Sequence, residues 1–95
     1  MKERDAYVEK MKANLDVWNA ELDKLSAKMK ASEADARIEY QKTIANLTRQ
    51  RDEGIQQLDK LQAATEDAWQ DMRKGFESAF NNISKAFGAA MDRYK

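Results

Sequence analysis

A chain of 95 residues with 17 basic and 17 acidic side chains, no histidine, no cysteine and no proline is one domain at most. Zero net charge, with the two signs balanced in both halves of the chain, removes the electrostatic basis for holding nucleic acid. The missing residue types exclude imidazole acid–base catalysis, thiol nucleophiles, disulfides and ordinary zinc or copper sites.

From Val8 onward one apolar stripe advances by three or four residues at every step. It begins Val8, Met11, Leu15, Trp18, Leu22, Leu25, Met29, which is the pattern of an amphipathic helix. On the opposite side of this first stretch Ala6, Ala13, Ala20, Ala27 and Ala34 recur every seven residues. They read as helix-favouring residues on an exposed face, or as a second close-packed seam.

The stripe continues through Glu33 and Ala36 to Tyr40, Ile44 and Leu47, then through Arg51 and Gly54 to Leu58 and Leu61. Arg51-Asp52-Glu53-Gly54 carries no apolar side chain and contains a strong helix breaker, so the sequence predicts a turn at Gly54. A hairpin folded there sets Leu47 opposite Leu58, Ala36 opposite Trp69 and Trp18 opposite Phe87. Glu33 and Arg51 are the two charges inside the stripe, and polar residues at such positions can fix register or oligomer number. Thr65-Glu66-Asp67 resembles an N-cap with acidic first-turn residues, but Thr65 stays in phase and so is the weaker turn candidate.

The last third runs Trp69, Met72, Phe76, Phe80, Ile83, Phe87, Met91 and Tyr94 and holds five of the eight aromatic residues. Gly75 and Gly88 fall inside its pattern and read as helix interior. Over residues 8–94 the period averages about 3.58, between the 3.5 of a left-handed coiled coil and the roughly 3.67 of an eleven-residue repeat.

No catalytic constellation emerges. The serines and threonines have no base to activate them, and Asp35/Glu39 and Asp67/Asp71 are one-turn carboxylate pairs on a polar face without a calcium loop. Glu9/Lys12, Glu21/Lys24, Glu33/Arg37 and Glu39/Lys42 have the spacing of helix-supporting ion pairs. No cofactor or metal is expected. No run approaches the roughly 18 apolar residues of a membrane span, and Met1-Lys2-Glu3-Arg4 is charged, so a cytoplasmic protein is expected.

A single stripe on one helix has nothing to bury against, so it is expected to find a partner. The expected fold is all-α: long amphipathic helices in an antiparallel coiled coil, a hairpin turning near Gly54, assembled as a homo-oligomeric bundle over residues 1–95. The alternative is one continuous helix of about 140 Å. The expected role is non-enzymatic and structural, with a second copy as partner and another helical protein as a possible one. Coating a lipid or other apolar surface is the rival, and the absence of net charge and of lysines at the stripe's edge weakens it.

Three segments, Tyr7-Val8-Glu9-Lys10-Met11-Lys12, Leu15-Asp16-Val17-Trp18-Asn19-Ala20-Glu21 and Ala68-Trp69-Gln70-Asp71-Met72, give the chain a resemblance to small bacterial coiled-coil proteins of unknown function with apolipoprotein-like amphipathic helices. The resemblance implies a helical, protein- or lipid-associating role and supplies no catalytic residue.

Overall fold

The computed structural model describes residues 2–94. Helix α1 spans Lys2–Lys30, α2 spans Ala34–Ala63 and α3 spans Glu66–Arg93. Each has acidic residues in its first turn and basic ones in its last, the arrangement that the helix dipole favours.

α1 ends where Ser32 turns back on it: the Ser32 hydroxyl donates to the Lys28 carbonyl at 2.7 Å and the Ser32 N–H to the Met29 carbonyl at 3.1 Å. Arg37, one turn into α2, donates from Nε to the Ser32 carbonyl at 2.9 Å and from its terminal nitrogen to the Lys30 carbonyl at 3.2 Å. These bonds satisfy carbonyls that a helix end would otherwise leave without partners. α3 starts from Thr65, whose hydroxyl accepts the Ala68 N–H at 3.3 Å as an N-cap.

The order of the cross-helix contacts sets the topology. Tyr7 meets Trp69 and Phe76, Trp18 meets Phe80 and Phe87, and Lys28 donates to the Tyr94 carbonyl, so α1 and α3 run parallel. Arg51 meets Asn19, and Glu39 meets Arg93, so α2 runs against both. The result is an up-down-up three-helix bundle with Cα extents of 52 × 19 × 18 Å.

Three sequence expectations are corrected. The chain does not turn at Gly54, which lies buried in the middle of α2; the breaks fall at residues 31–33 and 64–65. Neither a two-helix hairpin nor a continuous helix forms. The stripe also does not need a second molecule to be covered, because three lengths of helix fold it inward around a common core. Trp18 and Phe87 do stack, at 5.1 Å between ring centroids, but across parallel helices and not across the antiparallel hairpin that suggested the pair.

Candidate functional site

The feature that distinguishes this molecule is its shared apolar face. Val8, Met11, Leu15, Trp18, Leu22 and Leu25 of α1, Leu47, Leu58 and Leu61 of α2, and Trp69, Phe76, Phe80, Ile83 and Phe87 of α3 are buried together. Met29, Tyr40, Ile44 and Met91 are half-buried at its margin, whereas Met72 is 37% exposed. Ala36, aligned with the stripe in sequence, is exposed near the start of α2. No buried polar or charged residue occurs among the described residues.

Aromatic rings fill the seam between α1 and α3. Trp18 lies 4.6 Å from Phe80 and 5.1 Å from Phe87, and Phe76 stacks on Phe80 at 4.8 Å. At one end Tyr7 packs edge-on against Phe76 at 5.9 Å; between α2 and the end of α3 Tyr40 stacks on Tyr94 at 4.3 Å. Contacts of this kind contribute about 0.5–1.5 kcal/mol each beyond area burial.

Gly54 makes room for these rings. It faces Trp18, Ile83 and Phe80, so its lack of a side chain serves close packing. Arg51, one turn earlier, is half-buried and reaches across α1 to the Asn19 amide oxygen at 2.8 Å while also bonding Asp52. It ties α2 to α1 at a fixed level within one chain. Glu33 does not sit as a charge inside the buried stripe. It is exposed at the N-cap of α2, in the connection from α1, with extended backbone, φ −69° and ψ 163°.

Two basic residues of α1 close the ends of the other helices: Arg4 donates to the Ala64 carbonyl beyond α2, and Lys28 to the Tyr94 carbonyl beyond α3. Both place positive charge at the negative end of a helix dipole. The periodicity did not mark them, since they lie outside the stripe. Ala90, which flanks the stripe in the last third of the sequence and widens it, is buried with it.

Polar chemistry is confined to the rims. The Tyr7 hydroxyl donates to Glu77 at 3.2 Å, with Arg73 placed over the Tyr7 and Trp69 rings. Burial, then the adjacent Glu77 carboxylate, pushes the Tyr7 phenol up to about 12. Burial also raises the Glu21 carboxyl, and Lys24 partly offsets this. A groove of about 560 Å³ runs between α2 and α3, floored by Gly54, Phe76, Phe80 and Ile83 and edged by Arg49, Glu53 and Asn82. Its floor is apolar and its edges carry both charge signs, without a base set against a nucleophile. No group of three or more carboxylates able to hold a metal ion occurs among the described residues.

Of the expected ion pairs, Glu9 and Lys12 meet at 3.7 Å, whereas Glu39 pairs with Arg93 of α3 at 3.4 Å. Ala6, Ala13, Ala20, Ala27 and Ala34 are all exposed. No described helix is long and apolar enough to cross a membrane. Comparison with protein-family models, curated proteins and solved structures finds no match.

Proposed function

We propose that this chain is a non-enzymatic structural module that self-associates by opening its bundle and sharing its apolar stripe between copies, giving a homo-oligomer that other helical proteins can join. The observation that carries this reading is the composition of the buried set: it is wholly apolar among the described residues and draws on all three helices, from Val8 to Ala90. Binding sites for small molecules combine an apolar wall with a few convergent polar groups. Here the polar groups lie along the rims and tie one helix to another.

A second reading, a peripheral coat on lipid, draws on α3. Its face is aromatic-rich and follows an eleven-residue rhythm, and a bundle that opened would lay that face on an apolar surface.

Sedimentation over a wide concentration range, paired with flotation on neutral and anionic vesicles, separates the two. Self-association without flotation is expected. A protein that stays monomeric throughout overturns the self-association reading, and one that floats only when dilute transfers the stripe to lipid.

A further inference from the structure

The turn between α2 and α3 is close to being a helix. Ala64 has φ −69° and ψ 155°, and Thr65 has φ −68° and ψ 165°. Both φ angles are already helical, so rotating two ψ angles to about −42° would join α2 to α3. Neither residue is glycine or proline, and no described residue has positive φ. Alanine is the strongest helix former of all.

The apolar face is also in phase across this turn. Counted at 100° per residue along one straight helix, the buried residues of α2 and those of α3 point within about 35° of each other. A turned chain has no need of such agreement, because the turn itself sets where the next face begins. A straight helix over residues 34–93 would be about 90 Å long with one apolar side. Its α3 half could no longer reach the α1 of its own chain. A second copy in the same form offers the matching vacancy, an α1–α2 pair lacking its third helix.

We propose that two copies exchange α3: α2 and α3 merge through Ala64 and Thr65, and each α3 completes the bundle of the other chain. This rests on the self-association reading and specifies how it is achieved. The core contacts are those already described, now made between chains; Trp18 stacks on Phe80 and Phe87 of the other copy, and Gly54 receives its Ile83.

The same bonds show what holds the turn closed. In a straight helix the Ala68 N–H would donate to the Ala64 carbonyl. In the turn that N–H goes to the Thr65 hydroxyl, and Arg4 occupies the Ala64 carbonyl. Thr65 and Arg4 thus compete with helix continuation for one donor and one acceptor. The α1–α2 turn carries a denser set of ties, through Ser32 and Arg37, which selects the α2–α3 turn as the hinge.

The chain has no cysteine, so a Glu39→Cys, Arg93→Cys double variant places the only thiols at the α2–α3 ion pair. After refolding at low and high protein concentration, a short bis-maleimide and a denaturing gel report which chains are joined. Covalent dimers in the dimeric fraction are expected, with within-chain links in the monomer. A dimer whose links all stay within chains overturns the exchange and leaves self-association standing, through outer faces. The absence of any dimer in the unsubstituted protein removes both.

Two further variants move the equilibrium in opposite directions. Glu66→Pro occupies the first helical position, where proline is accepted, and follows a residue already extended, so the monomer folds. Within a straight helix that proline should disfavour the exchanged form by more than about a hundredfold per hinge. Thr65→Ala removes the cap, a change of about fivefold per hinge and thirtyfold per dimer in favour of exchange. A dimer fraction that ignores both substitutions also overturns the proposal.

Discussion

Gly54 and Trp18 are in direct contact: a Cβ on Gly54 would lie 3.5 Å from Trp18 Cζ3, an ordinary van der Waals distance, and 3.3 Å from Ile83 Cδ1, which is tight. A methyl there needs a few tenths of an ångström from the tip of Ile83, a flexible side chain, and gains up to about 1 kcal/mol of helix propensity. Gly54→Ala is therefore expected to stay within about 1 kcal/mol of the parent. Gly54→Leu has no such room and should cost about 1–3 kcal/mol by overpacking. Urea unfolding checks both; a Gly54→Leu variant as stable as the parent would show that the rings do not close on this residue.

Gly75 and Gly88 are the contrasting case. Both lie inside α3, are exposed, and have nothing within 4 Å of an added Cβ. Gly75→Ala and Gly88→Ala should each stabilise by up to about 1 kcal/mol, raising Tm by about 4–8 °C per kcal/mol for a domain of this size. Calorimetry of the single and double variants should find the gains additive, since the sites lie far apart along the helix.

Trp18 is the residue on which the α1–α3 seam turns. It is 4% exposed and touches Phe80, Phe87 and the Gly54 gap. Trp18→Ala is expected to cost about 3–5 kcal/mol, a large share of the stability of a small domain. Met72→Ala, on the same nominal stripe but 37% exposed, should cost under about 1 kcal/mol. Equal losses at the two positions would mean that Met72 is covered in solution, as an oligomer through the outer face of α3 would cover it.

These cases show what the sequence could and could not disclose. Burial depends on side-chain apolarity at helical spacing, so Trp18, Leu47, Phe80 and their fellows could be found by counting. The turns are harder to read: Thr65-Glu66-Asp67 carries an N-cap signal that marks the second turn, weakened by the unbroken phase of the stripe, and no such signal marks residues 31–33. Glu33, Ala64 and Thr65 leave the helix through ψ alone, in extended conformations open to any residue, and the stripe passes through them without losing phase. Gly54 misled for a physical reason: a turn and a close helix contact both favour the residue without a Cβ, and only tertiary structure tells them apart. Arg51 looked like a gap in the stripe because periodicity does not show that its long side chain runs sideways to Asn19.

Arg37 should prove a turn residue and not a helix-pairing one. Its guanidinium holds the Ser32 and Lys30 carbonyls, two charge-assisted bonds on an exposed surface. Arg37→Ala is expected to cost about 1 kcal/mol, while Glu33→Ala, at an N-cap position without a side-chain cap bond, should be nearly neutral. Measuring the double variant completes a cycle. A coupling energy above about 0.5 kcal/mol would restore the Glu33–Arg37 pair that helical spacing suggests.

Tyr7 gives the molecule an alkaline limit whose sign can be worked out. In the folded chain burial and the Glu77 carboxylate hold its phenol up at about 12, while in the unfolded chain it ionises near its ordinary value of 10.0. Below pH 10 the hydroxyl is protonated in both states and its contribution is fully present. As pH rises from 10 toward 12 the unfolded chain releases this proton and the folded chain keeps it, so stability falls across that window. Tyr7→Phe retains the ring against Trp69 and Phe76 and gives up one bond to Glu77, a loss of about 0.5–1 kcal/mol at neutral pH. Its stability should decline less steeply than the parent's between pH 10 and 12, so that the two curves converge or cross. Parallel curves would place the Tyr7 hydroxyl in water, and with it the end of the α1–α3 seam.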